Sequence, residues 1–255
     1  MLLLMTAQEG EWDDIHLAVR QFQKVNLAIK YAPGPVVAAP QGMALGGGCE
    51  ICLHAGRIHA AGEAYIGLVE AGVGLIPGGG GTKEMVIRAN EHSAGGDTLD
   101  FTHALRPIFE NVAMAKVSTS AEEARDMGYL RPADLVAMNR DRLVADAKAT
   151  ALAMLKAEYH SPVPAEVRVL GEEYFALAKL GIHSLVRGGY ASEHDAKVAT
   201  KLAYVMSGGP ITSAQNVPEQ YLLELEREAF VSLCGEKKTQ ERIAYTLKTG
   251  KALRN

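Results

Sequence analysis

Two glycine runs constrain this chain more than any other feature. The first lies in Gly42-Met-Ala-Leu-Gly-Gly-Gly-Cys-Glu50 and the second in Ile76-Pro-Gly-Gly-Gly-Gly-Thr82, with Glu70 between them. Glycine lacks a Cβ, so such runs let the backbone turn tightly and let other groups approach the main chain closely. The apolar run Pro35-Val-Val-Ala-Ala39 reads as a buried strand, and the glycines after Leu45 turn the chain into a helical segment starting near Gly48. An amide at that helix start carries partial positive charge and can stabilise an oxygen that becomes negative during a reaction.

The two glutamates supply the proton-moving groups. Glu50 follows three glycines in an otherwise apolar segment, a poor place for an idle solvated side chain. Glu70 lies between Ile66-Gly-Leu-Val69 and Ala71-Gly-Val-Gly-Leu-Ile76. A carboxylate there is costly unless solvated or paired, and such surroundings raise a carboxyl pKa towards that of a useful general acid. A phosphate loop is the rival reading of Gly78 to Gly81, and it fails because Thr82 precedes Lys83, the reverse of the Gly-Lys-Ser/Thr order.

Gly-x-Ala-x-Gly-Gly-Gly-x-Glu followed by Glu70-Ala-x-x-Gly-x-Ile-Pro-Gly-x-Gly-Gly-Thr resembles the enoyl-CoA hydratase (crotonase) superfamily. The run from Ala113 to Asp134 and the long helical tail narrow the resemblance to the C-terminal hydratase part of bacterial proteins that place a 3-hydroxyacyl-CoA dehydrogenase ahead of it. The resemblance implies an α/β fold, a partial crotonase-type ββα spiral core followed by an extended all-helical C-terminal region. A core of this family begins with further strands and a loop that donates a first oxyanion amide, and Met1 starts just after the place of that loop. An N-terminally truncated hydratase module is therefore expected.

By that resemblance, Glu50 activates water, Glu70 exchanges the α-proton, and the Gly47 amide is the remaining half of the oxyanion hole. The substrate is a trans-2-enoyl group carried as a coenzyme A thioester, with no other cofactor, hydrated within fatty-acid β-oxidation. Lys248 and Lys251, near the C-terminal end, are candidates for the coenzyme A phosphates, against the plainer reading of a solvated helix end. Retention of both glutamates favours hydration over a double-bond shift, and the isomerase reading stays open. Loss of one oxyanion donor typically costs about 100 to 1000-fold in turnover. The alternative is therefore a non-catalytic module docking on a dehydrogenase or thiolase partner. Both readings predict an oligomer, since exposed strand edges promote association.

Composition excludes several other classes. With 255 residues and 48% hydrophobic content the chain can build a sizeable core. Its formal charge of −4 and the lack of a basic cluster beyond Lys237-Lys238 argue against nucleic acid. No apolar run reaches the roughly 20 residues that span a bilayer, and Met-Leu-Leu-Leu-Met has no basic start, so neither a membrane nor a leader is indicated and a cytoplasmic protein is expected. Cys49-x-x-Cys52 has redox or zinc spacing, but no second pair follows and both fall within one helical turn; they read as small core residues. None of the eight histidines has a partner at metal-ligand spacing, so no metal is expected. A dinucleotide fingerprint is also missing, because Gly72-x-Gly74 runs into Pro77.

Along the chain, apolar periodicity predicts a helix over 11–30, strands at 57–61 and 63–66, and helices over 82–90 and 98–114. Ser120-Ala-Glu-Glu123 reads as a capping box opening the next helix. A long helix is predicted over 135–159, ended by Ser161-Pro-Val-Pro164, and only helices beyond, over 165–185, 193–206, 217–234 and 237–247. This divides the chain into the spiral part, 1–115, and the helical part, 116–255, with an internal boundary near 160–165.

Overall fold

The computed structural model describes residues 2–93 and 96–255. Its strands form two parallel ladders that the chain visits alternately. Strand β1 (Val37–Ala38) enters one ladder, β2 (Met43–Leu45) the other, and helix α3 (Gly47–His54) returns the chain for the next turn. Strands β3 (Arg57–Ala61) and β4 (Tyr65–Gly67) then lie parallel to β1 and β2, with Val37 opposite Arg57 and Met43 opposite Tyr65. Parallel neighbours need such crossovers, and repetition of strand, strand and helix is the expected ββα spiral.

The next crossover is longer. It runs through a 3₁₀ turn (Glu70–Val73), α4 (Gly81–His92), α5 (Thr98–Ala113) and α6 (Ala121–Asp126) before β5 (Leu135–Ala137) joins β3 in parallel, His59 opposite Leu135. This corrects the predicted helix over 135–159. Leu135-Val-Ala137 is too short to show a period of its own. Helix α7 starts only at Leu143 and runs to Lys156. At α6, Ser120 caps the Glu123 amide as predicted, but the Glu123 carboxylate takes the Thr119 amide and hydroxyl instead of closing the box.

The region beyond Ser161 is helical except for one antiparallel pair, β6 (Glu166–Val169) with β7 (Gln215–Pro218), where only helix was predicted. Glu166-Val-Arg-Val169 alternates buried and partly exposed positions, the period of a strand, and its burial of Val167 and Val169 merges with the helical pattern that follows. Helices α9 (Glu193–Ser207), α10 (Glu219–Cys234) and α11 (Lys237–Thr249) match their predicted positions closely, while α8 (Glu172–Arg187) begins seven residues after the predicted start at 165 because β6 takes up that stretch. At the other end, α1 (Leu2–Glu9) precedes α2 (Trp12–Lys30). Among the described residues no helix is long and apolar enough to cross a membrane.

Helix α4 is the hub. Its residues Gly81 to Ala89 are all buried, including Lys83, Glu84 and Arg88. Lys83 Nζ lies 2.5 Å from Glu84 Oε1 and 3.2 Å from Glu219 Oε2 of α10, while Lys30 Nζ of α2 lies 2.7 Å and 2.9 Å from the same two oxygens. Burial pulls the Lys83 amine down to about 8, against the pull of Glu84. Burial would raise the Glu84 carboxyl, but the charges of Lys83 and Lys30 hold it well below the usual range. Two lysines therefore share two carboxylates at the junction of α2, α4 and α10. Removing the Glu84 charge leaves a buried cation short of its counterion. The expected cost of Glu84→Gln is about 3 kcal/mol by urea unfolding at pH 7; an unchanged midpoint would mean that Glu219 alone satisfies both lysines.

Candidate active site

Glu50 sits in the first turn of α3 and is only 2% exposed. Its Oε1 accepts two backbone hydrogen bonds, from Gly79 N at 2.8 Å and Gly81 N at 2.8 Å. These amides belong to the start of α4, where no intrahelical acceptor exists for them. A side chain on Gly79 would begin 2.3 Å from the Phe22 ring and 2.8 Å from Glu50 Oε2, so only glycine allows the carboxylate to approach. Gly80 has φ +105°, a conformation that lets successive amides point in different directions.

Side chains from α2 and α10 hold the same loop. Gln23 Nε2 donates to Gly78 O and Asn26 Nδ2 to Gly79 O, at 2.9 and 2.8 Å. Glu226 of α10, fully buried, accepts from Gly80 N at 2.5 Å and from Lys83 N at 3.0 Å. His54 Nδ1 lies 2.7 Å from Glu50 O and its Nε2 lies 3.1 Å from Lys83 Nζ. Burial lowers the His54 pKa to about 3, so the ring is neutral and orients backbone rather than carrying charge.

Glu70 opens the 3₁₀ turn after β4, and its Oε1 lies 3.0 Å from where a side chain on Gly46 would begin. The residue is partly exposed, yet its Oε2 is sealed from solvent and has no hydrogen-bond partner among the described residues. The turn is fastened from the C-terminal side: Thr239 Oγ1 of α11 donates to Gly74 O at 2.8 Å and lies 2.9 Å from His194 Nε2 of α9. Glu70 and Glu50 influence each other electrostatically. Burial, then the Glu50 charge, raises Glu70 to about 8; burial raises Glu50 to about 7, opposed by the Gly81 and Gly79 amides.

The structure thus brings Glu50, Glu70 and Gly47 together. Gly47 opens α3, so its amide is among the N-terminal N–H groups without an intrahelical acceptor, and the Phe22 ring packs against it. Lys248 and Lys251 lie apart. They are exposed at the end of α11, with Lys248 about 13 Å along the helix axis from Thr239, taking 1.5 Å rise per residue. Cys49 and Cys52 are buried free thiols on α3, and burial pushes Cys52 up to about 11.

The family model described as enoyl-CoA hydratase/isomerase matches residues 4–168, well over half of the chain. The chain belongs to the enoyl-CoA hydratase/isomerase family. It is 49% identical over 254 residues to a Bacillus subtilis protein named "Probable 3-hydroxyacyl-CoA dehydrogenase", covering all of this chain and 32% of that relative. A shorter match, 44% identical over 63 residues, is to a crotonyl-CoA hydratase of Syntrophomonas wolfei, covering 25% of this chain and 24% of that protein. The fold is also that of a solved enoyl-CoA hydratase from Bacillus halodurans, with TM-score 0.58 at 17% identity, over 95% of this chain and 73% of that one. The chain spans about a third of the length of the first of these relatives.

Sequence reasoning missed Gln23, Asn26, His54 and Glu226. A signal existed: Gln23 and Asn26 continue the buried stripe of Ile15 and Val19 along α2, and Glu226 interrupts the apolar face of α10 between Leu222 and Ala229.

The sealed, unpartnered Oε2 of Glu70 makes its ionisation costly. Because the folded-state pKa is raised above the unfolded value, this penalty is absent below about pH 4.5, grows as pH rises, and is complete above about pH 8. Glu70→Gln is expected to stabilise the fold by a few kcal/mol at pH 9 and by little at pH 4.5, on the order of 1.4 kcal/mol per pKa unit. Denaturant unfolding at both pH values checks this, and an equal effect at both would show that Glu70 is not strained by burial.

Proposed function

We propose that the chain hydrates trans-2-enoyl-CoA to 3-hydroxyacyl-CoA, a step of fatty-acid β-oxidation. The observation that carries this reading is the buried Glu50 carboxylate and the partly exposed Glu70 carboxyl with its sealed Oε2, both with raised pKa values, beside a helix-start amide. Ionised Glu50 takes a proton from water, whose oxygen adds to the β-carbon. The electron pair moves onto the thioester oxygen, where the Gly47 amide meets the developing charge. Protonated Glu70 gives its proton to the α-carbon, and the two carboxyl groups then re-equilibrate with solvent. The thioester reaches this point by displacing the Phe22 ring, which packs against Gly47 and Gly79. Lys248 and Lys251 are the cations proposed for the coenzyme A phosphates, which lie far from the thiol end.

This assignment requires Glu50 ionised and Glu70 protonated. With the two near 7 and 8, the pair holds one proton over a narrow interval, so kcat/KM is expected to be bell-shaped with its maximum between these values. The two limbs report the two titration steps of the interacting pair. Loss of the crotonyl-CoA absorbance at the conjugated thioester band measures the rate. Glu50→Gln and Glu70→Gln are each expected to slow it by about 100-fold or more; an unchanged rate in either variant removes that residue from the mechanism. For the proposed phosphate contacts, Lys248→Ala with Lys251→Ala is expected to raise KM and leave kcat alone, and an unchanged KM excludes them.

A further inference from the structure

The glycine loop between Ile76 and α4 is held by two carboxylates in an interleaved pattern. Glu50 takes the amides of Gly79 and Gly81, while Glu226 takes those of Gly80 and Lys83. The residue bound to Glu226 thus sits between the two bound to Glu50. A side chain on Gly80 would begin 3.2 Å from Leu223, on the same helix as Glu226, so the loop is packed against α10 as well as bonded to it. Both Glu226 oxygens already accept an N–H, and the side chain is fully buried. Nothing else in the site gives Gly80 N an acceptor.

We propose that Glu226 is a positioning residue for Glu50: by fixing Gly80 and Lys83 it sets the Gly79 and Gly81 amides that hold the Glu50 carboxylate. Its role in hydration rests on the function proposed above, whereas the loop clamp itself does not. The isosteric carboxamide cannot replace it, because one end would present an NH₂ to a backbone N–H. Burial pushes the Glu226 carboxyl well above the usual range, and the nearby Glu50 charge adds to this. The groups facing it are Glu50 from α3 and Lys83 from α4, with the Lys83 and Gly80 amides opposing the rise. Arg227, next on α10, is bonded to Gln23 instead.

The test is Glu226→Gln, read without turnover first. With its carboxyl pushed well above the usual range, Glu226 carries no charge at the Glu50 midpoint, so Glu226→Gln removes no charge there, whereas losing amides from the Glu50 carboxylate would raise its pKa. The proposal predicts that the Glu50 side-chain ¹³C titration midpoint moves upward from about 7. It also predicts hydrogen exchange at Gly79 and Gly81 faster by about 10-fold or more, with exchange in α5 and α8 unchanged. A midpoint that falls or stays, or unchanged exchange at Gly79 and Gly81, overturns it. Should Glu226→Gln fail to fold, Glu226→Asp withdraws the same two acceptors by one methylene and is read by the same criteria. In crotonyl-CoA turnover the variant is expected to lose kcat with KM little changed. If Glu226→Gln shifts as predicted in titration and exchange while wild-type protein shows no hydration, the function is refuted and the clamp stands.

Discussion

The start of helix α4 is a stretch of backbone with no side chains of its own to satisfy it, buried at the centre of the molecule. Its amides and carbonyls must find partners, because a buried peptide group left unpaired costs about as much as a lost hydrogen bond. The partners come from three other helices: Glu50 from α3, Glu226 from α10, Gln23 and Asn26 from α2. The same glycines that create the demand make room for the groups that meet it. The hydrogen bonds that hold Glu50 are thus the same ones that satisfy the buried loop, and they tie α2, α3 and α10 to it.

The C-terminal helices belong to this arrangement and do not merely follow it. Glu226 of α10 holds the loop beneath Glu50, and Thr239 of α11 holds the turn that carries Glu70. Arg242, almost fully buried, ties α11 to α9 through Asp195 at 2.6 Å. Lys83, Lys30, Glu84 and Glu219 then lock α2, α4 and α10 with charges that no solvent reaches well. The loop that binds Glu50 and the turn that carries Glu70 are thus held by two consecutive helices.

How much of this was legible in the sequence depended on whether a feature was local. The glycine turns and most helices are written in short windows and appear where the sequence put them, and the motif already set Glu50 and Glu70 beside those turns. Strands of three or four residues do not show their period, so Leu135-Val-Ala137 and Glu166-Val-Arg-Val169 were absorbed into neighbouring helices. Glu226 shows in the sequence only as a break in the apolar face of α10, which does not name its partner. An acidic residue on an amphipathic helix is normally solvated, and only the tertiary fold reveals that this one points at a glycine loop 146 residues earlier. Lys83 was likewise read as the wrong half of a phosphate motif, when its charge belongs to a buried network.

Gln23 donates to Leu223 O and accepts from Arg227, across separations of 200 and 204 residues. Bonds of that span close long loops, and their entropy must be overcome before any contact rewards it. The loop beneath Glu50 therefore completes only when residues near both ends of the chain have met. On a ribosome, α3 and α4 emerge long before α10, and the nascent glycine run spends that interval with its amides in water. Its full set of partners is therefore available only once α10 has been made. Slow refolding would show up first as protein with intact helices and an unassembled pair of glutamates.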